Sequence, residues 1–351
     1  MWNKIQQFVT SSDLNPSTEP AFHPPYLLRN PHIQTIAPHF FPEKKLFAYN
    51  KHLFTLSDGD CLECGWIGPS KGAITIVLHG LGGNINSPYI ISLLNHFYNN
   101  NQRVFFIHFR CCGEEPNRLE RLYHAGDSQD IAEVVEWIHT TNPHENLYGV
   151  GFSLGANVLA KYLGERGNQC LLKAATMVST PFDIQACSYR STKRLISRLY
   201  YKYLISISKQ LITKKFKNKT IPESIQNAKL NNIHTLYEFD EHITAPLHGF
   251  KNADDYYTKT SSMHYIKDIT IPTLFIQAKD DPIIPESSLP KKEDFSNTAT
   301  LELHRYGGHN GFINLQSIGS SITYNYLNRR ILQYLLHRSN VNITVPTNTY
   351  V

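Results

Sequence analysis

Residues Asn146–Glu165 read NLYGVGFSLGANVLAKYLGE. The first five, Asn146–Val150, form an apolar run of strand length, and Asn157–Leu163 carries a helical pattern. Between them lies Gly151-Phe152-Ser153-Leu154-Gly155, a G-x-S-x-G pentapeptide. Alone, the pentapeptide also fits a glycine-rich turn with an incidental serine. Between a strand and a helix it fits a strained turn whose small flanking residues lift the Ser153 hydroxyl off a sheet.

Moving outward, further strand-like runs lie on both sides. They are Ala73–Leu78 (AITIVL), Arg103–Phe109 (RVFFIHF), Lys173–Ser179 (KAATMVS), Pro272–Ala278 (PTLFIQA) and Ala299–His304 (ATLELH). Most are continuously apolar, as expected of strands covered on both faces. Helical patterns separate them. One runs through Ile131, Val134, Val135 and Ile138, with Asp127 as its expected N-cap. Strand and helix in alternation predict an α/β fold with a mostly parallel sheet. His52–Ile67 reads as an early β-hairpin with its turn at Ser57–Asp60.

The chain has 351 residues, of which 41% are hydrophobic and 18% charged, enough apolar material for a packed core and too much for wholesale disorder. No apolar run reaches the roughly 18 residues of a membrane span, and the first residues lack a signal-peptide core. Six cysteines are too few for a disulfide scaffold, and Cys61 and Cys64 form a CxxC without a second pair. Reduced thiols in a cytoplasmic protein are therefore expected. No HExxH or similar ligand set appears, so neither a metal nor a cofactor is expected.

The net charge of +5 is uneven: Arg190–Lys219 holds ten Lys and Arg and no acid. Without aromatic platforms this stretch does not indicate nucleic-acid binding. Arg190, Arg194, Arg198, Lys202 and Lys209 would fall on a helical arc of about 120°, with Leu195, Leu199, Tyr203, Ile207 and Leu211 on the adjoining face. This helix reads either as a solvated cap helix or as a peripheral contact with an anionic membrane.

Three further motifs carry chemistry. His79-Gly80-Leu81-Gly82-Gly83 follows strand AITIVL, and a glycine-rich turn there could aim backbone N–H groups at an oxyanion. The expected donors are the amides of Leu81 and Leu154; His79 is read as a brace for the loop, since a base in this topology should follow the serine. Ala278–Pro285 (AKDDPIIP) offers Asp280 and Asp281 at a strand end, with Asp281 preferred as partner of an imidazole and Asp280 as a loop brace. Gly307–Phe312 (GGHNGF) holds His309 between glycines after the last strand. Ser153, Asp281 and His309 thus come in the chain order of an α/β hydrolase, as nucleophile, orienting acid and base. Arg110, Glu115, Asn117 and Arg118 read as a loop-bracing network in preference to substrate contacts, and Asp254–Tyr257 as a brace between insertion and core.

Longer segments carry a resemblance. HPPYLLRNPHIQTIAP (His23–Pro38), HGLGGNINSPYI (His79–Ile90), HFRCCGEEPNRLERLYHAGD (His108–Asp127), GFSLGANVLAKYLGE (Gly151–Glu165), EFDEHITAPLHGFKNADDYY (Glu238–Tyr257) and GGHNGF resemble the YheT-like hydrolases. That family is related to abhydrolase-domain lipases and alcohol acyltransferases. The likeness spans about residues 20 to 335. It implies the α/β-hydrolase fold, with Ser153, Asp281 and His309 at the family's triad positions. Cys111 and Glu114 depart from glycines in the family pattern FRGCGGEPN, which would strain a backbone that needs positive φ. Ala156 stands where glycine is common.

The expected organisation is a Pro-rich arm (1–45), a core (46–180 and 264–338), a helical cap insertion (181–263) and a tail (339–351). With seven prolines from Pro16 to Pro42, the arm is read as irregular, without long helices. The expected function is a serine carboxylic-ester hydrolase acting through an acyl-enzyme on short to medium acyl esters, lipid or glyceride esters among them. An alcohol O-acyltransferase with the same triad and a non-catalytic binding protein on this fold are the alternatives. Composition does not indicate an oligomeric state.

Overall fold

Strand β3 (Ile74–Leu78) is wholly buried and follows β1 (Asn50–Thr55) and β2 (Cys61–Ile67). The computed structural model describes residues 22–190, 195–217, 219–315, 322–323 and 325–338. Pro16 and Pro20, Arg194 and the tail 339–351 lie outside the described residues. Helix α2 (Pro88–Asn99) leads to β4 (Arg103–Ile107), and α3 (Ser128–Thr141) to β5 (Leu147–Phe152). Then come α4 (Leu154–Arg166) and β6 (Ala174–Val178). After the insertion, β7 (Thr273–Ala278) and β8 (Ala299–His304) complete a sheet of order β1-β2-β4-β3-β5-β6-β7-β8. The β1–β2 hairpin joins β4 antiparallel, and the six strands from β4 to β8 run parallel.

The period-two geometry of a strand sorts its side chains between two cores. Ile74, Ile76, Leu78, Phe105 and Ile107 pack with α3 and α4 on one face. Val77, Val104 and Phe106 pack with α2 and the last helix on the other. Apolar residues on both faces explain why these strands show no alternation in sequence.

The arm departs from expectation: Pro31–Phe40 forms helix α1. Asn30 caps it, accepting the N–H of His32 at 2.8 Å, and Pro31 occupies the first helical position, where its missing N–H is no loss. Asp127 does not cap α3 through its side chain. Its carboxylate is taken instead by the His124 N–H and the Arg121 guanidinium, both at 2.7 Å.

Between β6 and β7 the chain is helical: α5 (Ile184–Arg190), α6 (Leu195–Phe216), α7 (Leu236–Phe239), α8 (Ala245–His248) and α9 (Ala253–Thr260). A π-turn, Asp240–Thr244, separates α7 from α8. Helix α6 buries Tyr201, Ile205, Ile212 and Phe216, whereas Leu199 and Tyr203 from the expected apolar face are 66% and 57% exposed. Both faces carry apolar residues at helical spacing, so periodicity alone did not choose between them. Ile205, Ile212 and Phe216 share a small core with Ile225, Ile233, Phe239 and Ile243, seated on Cys111 and Leu122. Buried Lys215 ties α6 down by donating to the Asn117 carbonyl at 2.6 Å. Tyr256 accepts the Ala125 N–H at 3.0 Å, the bracing role expected of this segment. Helix α10 (Asn325–His337) packs beside α2.

Candidate active site

Ser153 sits between β5 and α4 with φ 51° and ψ −120°, a conformation costly for any residue with a side chain. The turn closes only because its neighbours are small. A Cβ on Gly155 would lie 2.4 Å from the His79 carbonyl oxygen. The Ser153 hydroxyl lies 2.9 Å from His309 Nε2, and His309 Nδ1 lies 2.8 Å from Asp281 Oδ2. Asp281 is fully buried, and its other oxygen accepts the N–H groups of Ile283 and Ile284 at 2.8 and 2.9 Å. The three residues expected to act together are thus one continuous hydrogen-bonded chain.

The neighbouring acid does a different job. Asp280 Oδ1 accepts the Gly308 N–H at 2.9 Å, which fixes the start of the His309 loop. Burial raises its carboxyl to about 6, partly opposed by that bond.

A second anchor of this loop had no local signal in the sequence. Thr35 Oγ1, on α1, accepts the His309 N–H at 3.0 Å. Gln34, fully buried, accepts the Ile313 N–H at 2.8 Å and donates to the carbonyls of Leu28 and Ile313. The only pointer was NPHIQT within the segment His23–Pro38, which carried the family likeness.

His79 is buried beneath the glycine loop. Its Nδ1–H donates to the Gly80 carbonyl at 2.7 Å, and its Nε2 accepts the Phe109 N–H at 3.1 Å. Burial, with His108 nearby, pulls its pKa down to about 3, so it stays neutral. It braces the loop, as expected. The Gly80 N–H donates to Tyr89 Oη at 2.9 Å and the Gly82 N–H to Tyr123 Oη at 2.6 Å. Gly82 has φ 62°, and α6 comes so close that a Cβ there would strike Ile207. Among the described residues, neither the Leu81 nor the Leu154 amide has a protein acceptor.

Two cavities meet at this point. A groove of about 510 Å³ runs between α1 and α6, lined by Ile36, Phe40, Leu199, Tyr203 and Ile207. A narrower cavity of about 120 Å³ extends beneath α5–α7. Both are lined by Leu81, Ser153, Leu204, Ile283 and His309. A larger depression, about 820 Å³, lies on the Lys202, Lys209, Lys214 and Lys217 side of α6 and includes none of these residues.

The Arg110 group is a brace. Arg110, buried, pairs with Asp130, Asp60 and Asp58 at 2.6–2.8 Å. Asp60 also accepts from Asn117 Nδ2 and from the Arg118 N–H. Glu115 is exposed at the rim of this loop. Cys111 does adopt positive φ, 67°, with its thiol donating to Asn117 Oδ1 at 3.0 Å. All six cysteines are unpaired, and no cluster of metal-ligating side chains exists among the described residues.

Cleaving an ester asks for a hydroxyl that can shed its proton and for amides free to meet the charge that results. Ser153, hydrogen-bonded to His309, offers the first, and the protein's class is that of the carboxylic-ester hydrolases, as its relatives' names bear out. Residues 76–314 match the family described as alpha/beta hydrolase fold. The chain belongs to that family and, within it, to the YheT-like proteins. It is 36% identical to YheT of Escherichia coli over 310 residues, 87% of this chain and 91% of that protein. It is 28% identical to phospholipase ABHD3 of Mus musculus, over 80% of this chain and 70% of that one. With the monoacylglycerol lipase of Saccharomyces cerevisiae the identity is 30%, over 68% of this chain and 54% of the lipase. The esterase Pf2001 of Pyrococcus furiosus shares the fold, with a TM-score of 0.54 at 16% identity over 91% of this chain and 98% of its own.

Proposed function

We propose that the protein is a serine hydrolase that cleaves short to medium acyl esters, lipid or glyceride esters among them, through an acyl-enzyme. The observation that carries this reading is the bonded chain from Ser153 through His309 to buried Asp281. Asp281 holds the proton on His309 Nδ1, which leaves Nε2 free to take the Ser153 proton. Ser153 Oγ then attacks the ester carbonyl, and the Leu81 and Leu154 amides stabilise the oxyanion. Collapse breaks the bond to the alkoxy oxygen, which leaves with the proton from His309. A water deprotonated by His309 attacks the acyl-enzyme and releases the acid. The helical insertion 181–263 acts as a cap over this site, with α6 forming one wall of the groove.

Relatives named as a phospholipase and a monoacylglycerol lipase support an ester with a lipid-like acyl chain, and the apolar groove offers room for one. Exposed Leu27, Phe40 and Phe41 of the arm and Leu199 and Tyr203 of α6, with lysines along α6, favour peripheral contact with an anionic lipid surface. No helix among the described residues is long and apolar enough to cross a membrane. The unpaired thiols accord with a reducing, cytoplasmic setting.

The test is hydrolysis of p-nitrophenyl esters from acetate to palmitate by wild type and Ser153→Ala. Turnover that vanishes in the variant supports the reading, and the chain-length optimum sizes the groove. A folded wild-type protein that neither turns over these esters nor reacts at Ser153 with a fluorophosphonate probe would overturn it. Transfer to an alcohol is the second reading, favoured by the apolar site and by 30% identity to a yeast medium-chain fatty acid ethyl ester synthase/esterase over 60% of this chain. Ester formation in the presence of added alcohol separates it from hydrolysis.

A further inference from the structure

The segment Glu238–Tyr257 contributes nothing to the Ser153–His309–Asp281 chain, yet it places a carboxylate in the narrower cavity. Asp240 opens the π-turn between α7 and α8 and lines the cavity of about 120 Å³ together with Ser153 and His309. Thr244 donates its hydroxyl to Oδ1 at 2.7 Å, and Tyr257 donates its own to Oδ2 at 2.8 Å. A carboxylate offers about four acceptor positions, so these two donors leave about two unused. Around Asp240 the cavity is lined mainly by apolar side chains, among them Leu154, Ile184, Leu204 and Leu211. Burial raises the Asp240 carboxyl to about 6, which still leaves it mainly ionised at pH 8.

The groove between α1 and α6 is about 510 Å³ and has no carboxylate in its lining. The narrow cavity is close in size to one of about 150 Å³ that accepts benzene, so it takes roughly four to six heavy atoms. The two spaces therefore suit the two halves of an ester: a flexible acyl chain in the groove, a short group bearing a hydrogen-bond donor in the cavity.

We propose that the narrow cavity is the alcohol subsite and that Asp240 accepts a hydrogen bond from a free hydroxyl on the alcohol half of the substrate. This rests on the ester-hydrolase reading of Ser153 and names its substrate class: esters of short, neutral diols or polyols. An apolar alcohol of the same size would leave the desolvated carboxylate without that donor, and a site built around a substrate hydroxyl discriminates strongly against its absence. An anionic alcohol half would meet like charge. After acyl transfer to Ser153 the diol departs with the proton from His309.

The experiment compares 2-hydroxyethyl butyrate with propyl butyrate at pH 8. The pair share the acyl group and shape and differ by OH against CH3. For wild type, kcat/KM should favour the hydroxyethyl ester by about tenfold or more. Asp240→Asn should bring the ratio to within about twofold of unity, and Asp240→Leu should reverse it. A wild-type ratio near unity overturns the proposal without any variant. So does a large ratio that Asp240→Asn leaves unchanged. In both cases propyl butyrate is still cleaved, and Ser153→Ala still abolishes it. Failure of the underlying reading looks different: neither ester is turned over and Ser153 is not labelled by fluorophosphonate.

Discussion

Asp281→Asn tests whether this carboxylate sets the proton position on His309. In the wild type one Asp281 oxygen holds the Ile283 and Ile284 amides and the other holds His309 Nδ1–H. An asparagine there has one acceptor oxygen and one NH2. Two buried backbone N–H groups demand the oxygen, so the NH2 must face His309 Nδ1. The imidazole then carries its proton on Nε2, the atom 2.9 Å from the Ser153 hydroxyl, and can no longer accept from it. The shape is unchanged and the base is lost. The expected fall in kcat is roughly 10⁴-fold, or about 5.5 kcal/mol of transition-state stabilisation. The assay is p-nitrophenyl butyrate hydrolysis at pH 8, with circular dichroism and thermal unfolding to establish that the variant folds. Asp280→Asn, one residue away, is the control, since Asp280 touches the Gly308 amide and not the imidazole. Its expected loss is below about tenfold. A folded Asp281→Asn variant that keeps kcat within tenfold of wild type would refute the reasoning, as would equal losses in the two variants.

The same Asp280 substitution has a pH signature. Its folded-state carboxyl titrates near 6, above the ordinary aspartate value, so between those two points the folded chain holds more protons than the unfolded one. The stability this contributes is present at low pH and lost as pH rises through 6. Urea denaturation should therefore show Asp280→Asn gaining on wild type by about 1–2 kcal/mol from pH 4 to pH 7, a figure reduced for its partial exposure. Arg110→Met should cost about 3–5 kcal/mol in urea denaturation, because Asp60 and Asp130 would stay buried without their counter-ion. Pairing it with Asp60→Asn should recover part of the loss. Gly155→Val should unfold the protein or lower its thermal midpoint sharply, since the Cβ would meet the His79 carbonyl at 2.4 Å and backbone cannot give way there.

Much of the fold and the candidate site was legible before the structure. The central strands read as apolar runs because both faces are buried, and Ser153, Asp281 and His309 each sit where a strand ends. What failed to read has physical reasons. Prolines outweighed the Asn30-Pro31 start signal of α1. Asp127 looked like a cap until Arg121 and the His124 amide claimed its carboxylate. Helix α6 carries apolar side chains on two faces, and periodicity could not say which one meets the core. The grip of Gln34 and Thr35 on the His309 loop had no local signal beyond the family likeness of their segment, because it is a contact between positions some 274 residues apart.

That contact sets a schedule. Ribosomes make Thr35 early and His309 late, and Ser153 lies between them. Contacts of such long sequence separation form only after the intervening chain has been ordered, since loop-closure entropy must be overcome first. A growing chain thus carries Ser153 well before the imidazole has been made and clamped. Under the proposed mechanism the site is complete only once residue 309 has been made and held by Thr35, close to the end of synthesis.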